Sequence, residues 1–402
     1  MPPHVRPAPD TRPAPPLAPP AAAGPPAGGP PPLPRRIVFL ARRDLGNPAA
    51  GGSELLVDRI AEGLTAHGHQ VTLVCGGPAS PKASAPPGQG GTPAPDYRVV
   101  SAGGDVGHFL RAPRHLERRV GGCDLLVEVC NGMPYLAPLW HRGPTLCLVN
   151  HVHTDLWRLR YPGPAARLGR QLEHWALAGA HRRNLMVAVS GSTAAALHEL
   201  GVAPERVRLV HNGVEEPGPL VPKAPEPLFL AMGRLVEYKR IDLLLRLWER
   251  VRPVTGGRLV IVGDGPERAR LTALAGPGVT FTGRICERRK HELLCSAWLL
   301  LHPSLVEGWG LVVMEAAARR TPALGFDIPG LRDSVEDGVT GLLARGESTF
   351  AAHWCALGLS ARRRTALGLA AEARAARFRW SHTVRSFRAV AAEAFRTASP
   401  GR

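Results

Sequence analysis

Arg36-Ile-Val-Phe-Leu-Ala41 is an apolar run of the length of a buried strand. A loop follows and ends in Gly51-Gly52-Ser53-Glu54. Leu55, Leu56, Ile60 and Leu64 then recur at helical spacing as far as His67-Gly68-His69, and Val71-Thr-Leu-Val-Cys75 reads as the next strand. Strand, glycine-containing turn, helix and strand make a βαβ unit, which is the unit of a parallel sheet. Further apolar runs at Leu125–Val129, Thr145–Val149, Leu185–Val189 and Val207–Val210 alternate with helical patterns. One doubly wound domain accounts for all of them. Strands buried on both faces read as continuous apolar runs, as these do.

The rhythm breaks between Glu215 and Leu228, where five prolines fall within the eleven residues from Pro217 to Pro227. Such a stretch is a stiff linker. The pattern then restarts: Leu228–Met232, Arg258–Val262, Val279–Thr282, Trp298–Leu301 and Ala323–Phe326 are strand-like and bracket helical segments. The last 50 residues are rich in Ala and Arg and helical throughout. The fold class is therefore α/β, with two Rossmann-like doubly wound domains and a C-terminal helical segment. The expected boundaries are a Pro-rich extension over 1–34, a first domain over 35–215, the linker over 216–227, a second domain over 228–378 and a basic helix over 379–402.

The chain has 402 residues, more than one hydrophobic core usually organises. Fifteen of the first 34 are Pro, a segment that cannot bury enough apolar surface to offset its chain entropy and is expected to be disordered. Gly76 to Asp96, rich in Pro, Gly, Ser and Ala, is expected to be a long surface loop. No apolar run approaches the roughly 20 residues of a membrane span, and no apolar stretch follows a basic start as in a signal peptide. The seven cysteines are dispersed, without a C-x-x-C pair, so neither a disulfide framework nor a zinc site is expected and a reducing cytoplasm fits.

Net charge is +17, and only four of the 50 basic residues are Lys. Ten Arg stand against Glu372 and Glu393 from Ser360 onward, a local excess of +8. A solvated helical face explains this excess; so does peripheral contact with an anionic inner membrane surface or a phosphorylated acceptor. No aromatic-interleaved basic motif or zinc-finger spacing points to nucleic acid.

In doubly wound sheets ligands sit outside the carboxyl ends of the strands. Four loops there hold candidate chemistry. Gly51-Gly52 at a helix start allows close backbone approach to an oxygen-rich group, or is a plain turn. The G-x-G-x-x-G fingerprint of a nicotinamide enzyme is absent. Val262-Gly-Asp-Gly-Pro266 is a tight structural turn. Met232-Gly233-Arg234 to Lys239 places two cations where one diphosphate could take both, Arg as a planar fork and Lys as a point charge; a surface basic pair is the alternative. Glu307-Gly308-Trp309-Gly310-Leu311 to Glu315 sets two carboxylates and free backbone N–H groups at a turn, the means by which proteins hold sugar hydroxyls. Helix-dipole pairing explains one Glu but not the flanking glycines.

E-x7-E after a strand, with R-x4-K upstream, resembles family 4 of the glycosyltransferases, retaining enzymes of the GT-B type. Gly51-Gly52-Ser53-Glu54 resembles that family's G-G-x-E. Val187-Ala-Val-Ser190 with Val210-His211-Asn212-Gly213-Val214 resembles another of its passages, with His211 where Pro is usual. Pro329-Gly330 through Thr340-Gly341-Leu342 resembles a third. The likeness runs from about Arg36 to Leu343.

The resemblance implies two domains facing across a cleft. It implies that Arg234 and Lys239 hold the diphosphate of a nucleotide-sugar donor, that Glu315 bonds the ribose, and that Glu307 contacts the transferring sugar with Gly308, Gly310 and Leu311 assisting. Gly52 would approach the phosphates from the first domain, and base contacts would be largely backbone around Thr282-Gly283-Arg284. His151, in Asn150-His151-Val-His153, matches a His beside the sugar; two polar residues at a strand end is the alternative. The implied activity is a retaining, metal-independent hexosyl transfer to an acceptor hydroxyl on a glycan, glycolipid precursor or secondary metabolite, with no cofactor. None of the twelve Asp forms a D-x-D pair. A sugar-nucleotide epimerase of the same fold and a catalytically dead binding protein are the alternatives; the first lacks a convincing acid/base pair in the first domain's cleft.

Overall fold

The computed structural model describes residues 33–398, apart from 78–96, 105–106, 133 and 162. Nearly all of the Pro-rich extension, and the expected loop beyond Gly77, lie outside the described residues.

The first sheet holds β1 (Arg36–Ala41), β2 (Gln70–Cys75), β3 (Arg98–Ser101), β4 (Leu125–Cys130), β5 (Thr145–Val149), β6 (Leu185–Ala188) and β7 (Val207–Leu209). They pair in parallel in the order β3-β2-β1-β4-β5-β6-β7. The second holds β8 (Leu228–Met232), β9 (Arg258–Val262), β10 (Val279–Gly283), β11 (Leu299–His302), β12 (Ala323–Phe326) and β13 (Gly341–Ala344), in the order β10-β9-β8-β11-β12-β13. β3 and β13 go beyond the sequence reading. Each is a four-residue edge strand, too short to show a period. In both sheets the order reverses beside the first strand, between β1 and β4 and between β8 and β11. Crossovers leave in opposite directions at such a point and open a crevice at the carboxyl ends.

Each sheet has its own core. Phe39 stacks on Phe387 in the first, and Trp248 on Trp354 in the second, with centroids 5.8 Å and 5.6 Å apart. Phe387 belongs to the last helix, Trp380–Thr397, whose apolar face (Phe387, Val390, Ala391, Ala394) lies in the first sheet's core, while Val384 of the same helix is buried. Gly63 makes this docking close: a Cβ there would lie 2.4 Å from Val384 Cγ2. The basic end of the chain is only partly spoken for. Arg388 donates to His69, Arg374 donates to Ser334 O and Asp333 O, and Arg379 pairs with Glu216, while Arg362, Arg363, Arg377, Arg385 and Arg396 stay exposed. His211, where the family pattern has Pro, packs its ring on Trp309 at 4.7 Å and on Phe378 at 5.3 Å.

Residues 216–227 contain no helix or strand. They are held by more than proline stiffness, since Lys223 donates to Ala297 O at 2.9 Å and Trp298 Nε1 donates to Ala224 O at 2.7 Å. No helix of the described residues is long and apolar enough to cross a membrane.

Candidate active site

The crevice of the second sheet lies between the ends of β8 and β11. β8 runs out at Met232, Gly233 turns the chain, and Arg234 and Lys239 then line one small pocket with His302 and Ser304 from the end of β11. Lys239 closes the short turn Glu237–Lys239, immediately before helix Ile241–Thr255. Beyond β11, the turn through Glu307 and Gly310 leads into helix Leu311–Ala317. Gly308 touches the other sheet: a Cβ on it would lie 2.3 Å from Asn150 O, just past β5. A side chain at 308 would push the two crevices apart.

Lys239 Nζ stands 2.5 Å from Glu307 Oε2, and His302 Nε2 donates to the same oxygen at 2.9 Å. Burial alone would push the Glu307 carboxyl up, but Lys239 and His302 override it and hold the group far below the usual carboxylate range. His302 is itself pushed down by burial, with Lys239 adding to the effect, so it is neutral and donates through Nε2. Arg234 reaches only the Tyr238 hydroxyl, at 3.4 Å, and has no carboxylate partner among the described residues. The pocket therefore holds one neutralised and one uncompensated cation. That is an attractive field for an anion with several oxygens.

Glu315, buried on helix Leu311–Ala317, pairs with Lys290 Nζ at 2.6 Å, and its backbone oxygen accepts from Arg319 at 2.9 Å. Gly52 faces Leu311 so closely that a Cβ would come within 2.9 Å of its Cδ1. Gly310 caps that helix in the left-handed region, at φ +80°. Arg284 points elsewhere: its guanidinium bonds the carbonyl of Pro48, in the loop before Gly51.

His151 and His153 stack at 4.0 Å. His151 Nε2 is buried with no hydrogen-bond partner among the described residues. Burial, with His153 adding to it, pushes the imidazole down to about 3. Glu173 accepts from His153 N at 2.8 Å and from Trp157 Nε1 at 3.0 Å, and burial pushes its carboxyl up to about 7.

These shifts have opposite effects on stability. His151 binds a proton more readily when unfolded, so as pH falls from 6.5 toward 3 it costs stability, at up to about 1.4 kcal/mol per unit. Glu173 binds a proton more readily when folded, so stability rises as pH falls from about 7 toward 4.5. The two should offset between 6.5 and 4.5. Glu173→Gln should remove the offset, so that acid destabilisation starts near pH 6.5 instead of near 4.5. Melting temperature against pH for both proteins measures this, and identical profiles would refute it.

The structure thus brings Arg234, Lys239 and Glu307 together, and sets His151 beside them across Gly308. Glu315 stands in a second pair with Lys290, and Arg284 lies outside both. The sequence reading missed His302 and Lys290. A strand-end position marked the first; the scarcity of lysine that drew attention to Lys239 applied equally to the second. Among the described residues no group of three or more His, Cys, Asp or Glu stands placed to hold a metal ion.

Residues 50–216 match the family model "Glycosyltransferase Family 4", and residues 226–357 match "Glycosyl transferases group 1". A D-inositol 3-phosphate glycosyltransferase of Rhodococcus erythropolis is 32% identical over 278 residues, covering 61% of this chain and 60% of that one. The Nocardia farcinica protein of the same name is 36% identical over 210 residues, 48% of this chain and 42% of that one. The chain spans about half the length of the relatives it matches. In fold it is similar to HepE of Anabaena, solved with UDP and glucose (TM-score 0.67, 17% identity, 88% of this chain and 98% of that one). It is also similar to sucrose-phosphate synthase of Thermosynechococcus elongatus (TM-score 0.71, 21% identity, 88% and 97%).

Proposed function

Since the chain belongs to family 4 of the glycosyltransferases, we propose that it transfers a hexose-type sugar, with retention and without a metal at the diphosphate, from a nucleotide-sugar donor to an acceptor hydroxyl. The observation that carries this reading is the pocket where Arg234, lacking a carboxylate partner among the described residues, and Lys239 converge, beside the free Nε2 of His151. Arg234 and Lys239 take the diphosphate. Lys239 then turns part of its charge from Glu307 to the phosphate as the glycosidic bond breaks, and so stabilises the leaving group where charge develops. Glu307, kept ionised, accepts hydrogen bonds from sugar hydroxyls, and His151 adds one polar contact from the first sheet. The acceptor hydroxyl attacks on the face the diphosphate leaves, and a departing phosphate oxygen takes its proton. Two crevices meeting at Gly308 exclude water from the donor. A cytoplasmic location agrees with seven free cysteines.

No observation of the site favours the epimerase or the dead-site reading. HepE was solved with UDP, which makes UDP the first ligand to try. At 100 times its dissociation constant it should stabilise the chain by about 2.7 kcal/mol, read as a rise in melting temperature. A chain that no nucleoside diphosphate stabilises, and that releases none from any nucleotide-sugar, would sink the proposal.

A further inference from the structure

Helices Thr154–Arg160 and Gly163–His174 follow the loop of His151 and His153, and a pocket of about 260 Å³ opens between them, lined by Arg158, Tyr161, Ala166, Arg167 and Arg170. Its volume is close to the lower end of small-molecule sites, about 300 Å³. Arg158, Arg167 and Arg170 make no hydrogen bond or ion pair through their side chains among the described residues. Arg170 Nε is also buried there without a partner. Among the described side chains the pocket thus carries three like charges that repel each other and a buried unpaired donor, a surplus of positive charge that an anion would relieve. The walls are held in place. Trp157 packs so tightly on Gly169 that a Cβ there would lie 2.4 Å from its ring, and Glu173 ties Trp157 to the backbone of His153.

We propose that this pocket binds a phosphate group. Guanidinium forks match phosphate oxygens two at a time, and three of them suit a dianion better than a single carboxylate. The binding claim stands on the pocket alone; that the phosphate belongs to the acceptor rests on the transferase reading above. The phosphate has two possible sources, a soluble phosphate ester or a phospholipid headgroup. Exposed Leu159, Tyr161, Leu168 and Trp175 on the same helices and the turn after them would sit in a lipid surface in the second instance.

The test is calorimetric titration of the full chain with inorganic phosphate, together with sedimentation on phosphatidylcholine vesicles with and without phosphatidylglycerol. R158Q/R167Q changes two exposed side chains and should leave the fold intact. Both measurements are made in a K239A background, which removes the other anion site, and there R158Q/R167Q is expected to weaken phosphate binding about tenfold or more. Binding only to phosphatidylglycerol vesicles, lost in R158Q/R167Q, supports the lipid source. Binding of inorganic phosphate lost in that variant supports the soluble one. No binding of either probe, or binding that R158Q/R167Q leaves intact, overturns the proposal. UDP binding is followed in parallel: a wild-type chain that ignores UDP refutes the transferase reading and leaves the pocket standing.

Discussion

Lys239→Ala is expected to lower turnover by roughly 10²- to 10³-fold, the cost of removing one preorganised group aimed at developing charge, while donor affinity falls much less. Lys239 is held by Glu307 at 2.5 Å in the free protein. Against a donor it must share its charge between that carboxylate and the diphosphate, so its net contribution to ground-state binding is small. As the glycosidic bond breaks, negative charge grows on the bridging oxygen, the phosphate outcompetes Glu307, and the contribution rises. An interaction stronger in the transition state than in the complex appears in kcat. Glu315→Ala should behave differently. Its partner Lys290 lies on another helix, Glu287–Ser296, and on the proposed reading it meets the ribose, far from the breaking bond. Its loss should weaken donor binding by about 1–3 kcal/mol with kcat nearly unchanged. EDTA should alter neither variant. Steady-state kinetics of both, at saturating acceptor and with and without EDTA, separate these outcomes. Normal turnover in Lys239→Ala removes that residue from the diphosphate site, and EDTA-abolished wild-type activity restored by Mg²⁺ sinks the metal-free mechanism.

The second large effect concerns stability. Glu128→Ala should destabilise the first sheet by about 3–5 kcal/mol, the usual cost of leaving the other half of a buried pair unmatched. Glu128 sits inside β4 with no exposed surface. Its carboxylate accepts from Tyr135 N at 2.7 Å and Ala137 N at 2.9 Å, and faces His181 Nε2 at 3.1 Å. Burial would push the group up, yet His181 and the two backbone donors hold it below its ordinary value. Alanine strands these donors, together with Leu136 N at 3.2 Å, and opens a void. Glu128→Gln keeps the shape and one acceptor oxygen, so it should cost less. Urea midpoints of the two variants measure the difference. A Glu128→Ala loss below about 1 kcal/mol would show that water or the Tyr135–Ala137 loop replaces the carboxylate.

Glu128 also shows where sequence reading stops. Its run, Leu125–Val129, reads as an apolar strand, and it is one; a charged residue in its centre carries no mark of its partners. His181 is 53 positions away and meets it only because β4, β5 and the segment before β6 lie side by side. Helix Trp380–Thr397 is a parallel example. Its Arg excess reads as a free basic face, and Phe387 and Val390 turn the other face into the core of the first sheet.

The sequence by itself determined the two βαβ halves, the Pro-rich break between them and the loops that hold Arg234, Lys239, Glu307 and His151. Burying a strand on both faces imposes a continuous apolar run, and turning out of it imposes glycine or proline; both constraints are local. Tertiary structure alone decided that Lys239 reaches Glu307 across 68 positions, that His302 steadies the same carboxylate, that Lys290 rather than solvent meets Glu315, and that Gly308 brings the end of β5 against the donor turn. Those pairings follow from where the strand order reverses and which carboxyl ends then converge. That convergence is a property of the assembled sheets, and no residue's immediate neighbours encode it.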